Sequence, residues 1–61
     1  MYTHNQTIEI YRNLKSITGK AEYIAEEAIK NDLGEDAFNA LRKCGFIEYC
    51  GTINGRRMYA I

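Results

Sequence analysis

The sequence predicts an α+β fold, mostly helical, in which three helices precede a C-terminal two-stranded β-hairpin. Three observations carry the prediction. Apolar residues recur at three- and four-residue spacing as far as Cys44, the signature of helices with one buried face. Thr18-Gly19 and Asn31-Asp32-Leu33-Gly34 interrupt that period, dividing the helical part into three. After Gly45 the period falls to two, around the dipeptide Asn54-Gly55. The 61 residues read as one domain spanning 1–61. A chain this short buries only about 60% of the surface its unfolded form exposes, so a small core is expected.

The first helix is expected over 5–16. Thr3 to Gln6 has the S/T-x-x-Q form of a capping box, and Ile10, Leu14 and Ile17, with Tyr11 alongside, form the stripe behind it. A second helix is expected over 20–29, where Ala21, Ile24, Ala25, Ala28 and Ile29 share a face and Glu22, Glu26, Glu27 and Lys30 lie off it. Its small residues would let another helix approach closely. Asp32 and Glu35 form a candidate capping pair for a third helix over 33–44. There Ala37, Phe38, Leu41 and Cys44 make the stripe, and Gly45 is a natural C′ residue.

The hairpin strands are expected over 46–53 and 56–61, joined at Asn54-Gly55, a pair suited to a turn in which both central residues have positive φ. In that register Ile53 opposes Arg56, Gly51 opposes Met58 and Tyr49 opposes Ala60. Ile47, Tyr49, Ile53 and Met58 then share the expected core face, with Phe46, Tyr59 and Ile61 on the other.

Composition limits the classes of function. Hydrophobic residues make up 46% and charged residues 26%, which is ordinary globular chemistry rather than that of a disordered chain. No apolar run approaches the roughly 20 residues of a membrane span, and the start Met1-Tyr2-Thr3-His4-Asn5 lacks the character of a signal peptide, so a cytoplasmic protein is expected. Cys44 and Cys50 with one distant histidine match no zinc spacing, and both are expected as free thiols, Cys44 on the apolar stripe. His4 has no Ser, Cys or Asp at a spacing that suggests a triad, so no catalytic residue, metal or cofactor is expected. Eight basic residues balance eight acidic ones, but unevenly. From residue 37 onward Arg42, Lys43, Arg56 and Arg57 face the single acid Glu48, a surplus of +3, whereas Glu22, Glu26 and Glu27 cluster on the expected second helix. One end thus suits phosphate and another repels it.

Ile24-Ala25-Glu26-Glu27-Ala28 resembles the second helix of winged helix-turn-helix DNA-binding domains. Leu41-Arg42-Lys43-Cys44-Gly45-Phe46-Ile47 is similar to the junction where their recognition helix passes into the wing, and Arg56-Arg57-Met58-Tyr59 resembles the basic return strand. The resemblance covers nearly the whole chain from Asn5 and implies a three-helix winged helix-turn-helix. The third helix would enter the major groove of double-stranded DNA and the hairpin turn would touch backbone or minor groove.

The candidate DNA-binding residues are Asn39, Arg42, Lys43, Arg56, Arg57 and Lys20. Asn39, Arg42 and Lys43 lie off the apolar stripe, where Asn pairs with adenine and Arg with guanine; the same pattern also describes a solvated helix face. Arg56 and Arg57 alternate across the hairpin, so one meets phosphate, or both guard a strand edge against pairing. Lys20 would touch backbone from the start of the second helix, or simply be solvated. The function expected is a non-enzymatic DNA-binding regulator of phage or plasmid size. Tight binding by so small a module is expected to need a homodimer reading two half-sites. The competing class is a winged-helix module, an inhibitor or adaptor, that binds another protein through tyrosines beside the glutamates.

Overall fold

The computed structural model describes residues 2–61. The chain is α+β: three helices and a three-stranded antiparallel sheet, in the order α1 (His4–Thr18), β1 (Tyr23–Ala25), α2 (Glu26–Leu33), α3 (Glu35–Lys43), β2 (Glu48–Ile53) and β3 (Arg56–Ala60). The sheet order is β1-β3-β2, which places β3 in the middle.

The N-terminus of α1 forms as its sequence predicts. The Gln6 amide donates to Thr3 Oγ1 at 3.1 Å while the Thr3 amide donates to Gln6 Oε1 at 2.9 Å, a reciprocal capping box. The buried face includes Leu14 and also Thr7, whose hydroxyl is satisfied by the Thr3 carbonyl at 2.8 Å. Ile17 departs from expectation: it is exposed, near the end of the helix and beyond the core.

The largest correction concerns 20–29, expected as one helix. The first part of that segment is extended, and β1 pairs with β3 through Tyr23↔Ala60, Ile24↔Tyr59 and Ala25↔Met58. The Ile61 amide lengthens the ladder by donating to the Glu22 carbonyl at 3.1 Å. Tyr and Ile are good strand formers, and pairing satisfies the second edge of β3, which a lone hairpin would leave open. That tertiary gain outweighs the modest helix preference of the surrounding Ala and Glu. The two-stranded hairpin expected from sequence is therefore part of a three-stranded sheet.

α2 begins only at Glu26, with Glu26 and Glu27 in a first turn where the helix dipole favours them. It runs past the expected boundary to Leu33, so Asp32 lies inside it and is no cap for α3. Gly34 alone joins the helices. Its amide donates to the Lys30 carbonyl at 2.8 Å, its carbonyl accepts from the Phe38 amide at 3.1 Å, and its φ of +92° is a conformation that favours glycine. α3 buries Ala37, Phe38 and Leu41 as its stripe predicts. Its end is a Schellman motif: the Phe46 amide reaches back to the Leu41 carbonyl at 3.0 Å and the Gly45 amide to the Arg42 carbonyl at 3.1 Å. Cys44 is the C-cap and is exposed, so it is not a core residue; Cys50 is likewise an exposed free thiol.

The hairpin turns at Asn54-Gly55, both with positive φ, and Ile53↔Arg56 and Gly51↔Met58 pair as expected. Beyond Gly51 the expected register fails. A bulge between Tyr49 and Gly51 sets Tyr49 opposite Tyr59 and Glu48 opposite Ala60. The extra residue, Cys50, reverses the facing of everything before it. The bulge thus puts Tyr49 on the Tyr59 face rather than on that of Ile53 and Met58; Tyr59 is buried there at 4% exposure, whereas Tyr49 beside it and Ile53 on the opposite face, both expected in the core, are exposed. Leu14, Ile29, Phe38, Leu41 and Tyr59, one or two residues each from α1, α2, α3 and β3, form the core with Ile47 just before β2, and Phe46 and Tyr11 stack beside it at 5.1 Å between ring centroids.

Candidate functional site

The chemistry-bearing surface lies where the outward face of α3 meets the hairpin. Burial of Ala37, Phe38 and Leu41 turns Asn39, Arg42 and Lys43 outward, and all three are exposed. Arg42 has its guanidinium carbon 5.7 Å from the centroid of the Phe38 ring, within cation–π range. Lys30 of α2 places its ammonium 5.1 Å from the same centroid.

Tyr59 ties the hairpin to this arrangement. Its ring meets Phe38 edge-on at 5.1 Å and Tyr49 at 5.7 Å. Its hydroxyl donates to Glu26 Oε1 at 3.2 Å. Burial raises the Tyr59 pKa above its ordinary 10.0. The positive charge of Arg42 opposes this, whereas the hydrogen bond to Glu26 adds to it. Arg42, Tyr49, Arg57 and Tyr59 together line one open depression between α3 and the sheet.

Glu26 is the centre of the charge arrangement. Its side chain is only 17% exposed; Oε1 accepts from Tyr59, and Oε2 lies 3.5 Å from Lys30 Nζ and 3.9 Å from an Arg57 terminal nitrogen. Glu27, its neighbour, lies 3.5 Å from Arg56 Nε. These pairings follow from the sheet register. Since Ala25 pairs with Met58, the next two residues of the ascending chain arrive beside the preceding two of β3, Glu26 by Arg57 and Glu27 by Arg56.

The six residues selected from sequence are all exposed, but they do not form one strip. Arg42 and Arg57 share the depression just described. Asn39 and Lys43 line a second one with Tyr2, Asp36 and Ala40, so an acid sits among them. Arg56 is held by Glu27. Lys20 occupies the turn between α1 and β1 rather than a helix start, because the helix begins six residues later. Glu26 and Glu27, expected only as part of an acidic cluster on a helix, instead meet the hairpin arginines. The signal was present as two complementary dipeptides, Glu26-Glu27 and Arg56-Arg57, but reading it required β1.

A different surface is apolar. Tyr23, Cys50, Gly51, Thr52, Ile53 and Met58 line a shallow depression on the sheet, with Tyr23 54% and Ile53 60% exposed. Among the described residues no cluster of three or more His, Cys, Asp or Glu side chains is placed to hold a metal ion, and no helix is long and apolar enough to cross a membrane. Comparison with protein-family models, with curated proteins and with solved structures finds no match to this chain.

Proposed function

We propose that this chain is a small winged helix-turn-helix protein that binds double-stranded DNA. In this reading α3 lies in the major groove and the Asn54-Gly55 hairpin is the wing that rests on the backbone. The observation that carries the reading is that Arg42 of α3 and Arg57 of β3 line one open depression, so helix and hairpin offer cations on a common surface. The element order, with β1 between the first two helices and a sheet closed by a C-terminal hairpin, suits the same assignment. Arg42, Arg56 and Arg57 take phosphate, and Asn39 and Lys43 on the exposed face of α3 reach base edges or the opposite strand. No enzymatic step is part of the proposal, which casts the chain as a regulator of the kind encoded by phages or plasmids. So few phosphate contacts make a dimer on paired half-sites the form expected to bind tightly.

A second reading, a winged-helix module that binds a protein, is favoured by the exposed Tyr23 and Ile53 beside Met58 on the sheet and by zero net charge. Adding a short random duplex to isotope-labelled protein at low salt separates the two. The DNA reading expects amide shifts to concentrate at Asn39, Arg42, Lys43 and Arg57. An unperturbed spectrum at duplex excess would sink it.

A further inference from the structure

We propose that Glu26 and Glu27 are an internal competitor for DNA, two carboxylates that occupy the wing arginines and set how tightly the wing engages phosphate. The inference rests on the DNA-binding reading above. It is carried by geometry: Arg56 Nε lies 3.5 Å from Glu27 Oε1 and an Arg57 nitrogen 3.9 Å from Glu26 Oε2. A carboxylate and a phosphate oxygen are interchangeable partners for a guanidinium, so each carboxylate competes with phosphate for the arginine's donors and offsets the charge it offers.

The two contacts differ in kind. Arg56 and Glu27 are 68% and 64% exposed, and among the described residues Glu27 has no second cationic partner. Such a pair is weak enough to open and reclose freely. Glu26 is mostly buried and shared by Tyr59, Lys30 and Arg57, so it keeps its position whichever way Arg57 turns. The carboxylates are also held by the backbone rather than by chance contact. They occupy the first turn of α2, immediately after the strand whose register with β3 brings them beside Arg57 and Arg56. Releasing an arginine to DNA strips a carboxylate of its counter-charge, which then recruits a cation from solution. Wing binding therefore yields less net counterion release than a free arginine would give.

The test is a double-mutant cycle on duplex affinity with Glu27→Gln and Arg56→Ala, both exposed positions whose substitution spares the core. Affinity for a random duplex at low salt is expected to rise about two- to fivefold in Glu27→Gln, and the salt dependence to steepen by less than about 0.9 in log–log slope. The gain should vanish in the Arg56→Ala background. Glu9→Gln removes the same charge from α1, where Glu9 pairs with Arg12, and should give less. An equal gain with and without Arg56, or no gain at all, overturns the competitor while leaving DNA binding intact. Failure of every variant to bind duplex overturns both.

Discussion

The outward face of α3 and the tip of the hairpin carry two basic residues each, Arg42-Lys43 and Arg56-Arg57, yet they differ in what surrounds them. Among the described residues neither Arg42 nor Lys43 is ion-paired; Arg42 sits instead near the Phe38 ring, a neighbour that leaves its hydrogen-bond donors free. Both hairpin arginines are paired with glutamates of α2. Equal formal charge thus gives unequal availability. Availability is decided by the ladder register, which brings Glu26 and Glu27 within ion-pair distance of the hairpin arginines, whereas among the described residues no carboxylate lies that close to Arg42 or Lys43.

The two regions share one support, the Phe38 ring. Phe38 is 1% exposed, touches Tyr59 edge-on and lies under both Arg42 and Lys30. Phe38→Ala is expected to cost about 3–5 kcal/mol of stability in urea unfolding. In a domain this small that leaves little folded protein, and a loss below about 1 kcal/mol would mean that the core does not join the two regions as described. The comparison is sharpened by the cations themselves. Arg42→Ala should weaken duplex binding by about 1.5–3 kcal/mol, tenfold or more, whereas Arg56→Ala, which also frees Glu27, should weaken it less than threefold. The reverse order, read by fluorescence anisotropy, would place the main contact on the hairpin.

A smaller effect concerns the bond between the two regions. Tyr59→Phe removes the hydrogen bond to Glu26, which keeps Lys30 and Arg57, so a loss of about 1–2 kcal/mol near neutral pH is expected. The raised Tyr59 pKa has a definite sign in stability. The folded state holds the phenolic proton more tightly than the unfolded chain, so this contribution is complete below the ordinary pKa of 10.0 and is lost as pH rises through the folded value. Chemical denaturation across pH 9 to 12 should show a steeper alkaline decline in the natural protein than in Tyr59→Phe. Parallel curves would contradict the burial of this hydroxyl.

Local chemistry made some of the fold readable before the structure. The Thr3–Gln6 box, the Gly45 helix end and the Asn54-Gly55 turn each need only neighbouring residues, and each is found where expected. The stripe of α3 is equally local. What was not readable depends on partners far along the chain. Tyr23–Ala25 is a strand only because β3 offers an edge, and an Ala- and Glu-rich context hides that. The bulge at Cys50 breaks alternation, and its one local signal is Gly51 inside the strand, with φ of +128°; simple alternation passes over it and puts Tyr49 on the face opposite Tyr59. The candidate cations were identifiable by type and phase, but their pairing with Glu26 and Glu27 was invisible once β1 had been read as helix.

The most direct test of the central claim is the salt dependence of affinity for a random duplex, measured by anisotropy for the natural chain and for Arg42→Ala. Measurable binding at low salt is expected, with log affinity falling linearly against log salt and the slope becoming shallower by about 0.9 when Arg42 is removed. Binding with the same slope in both proteins, or none at low salt, would contradict the claim.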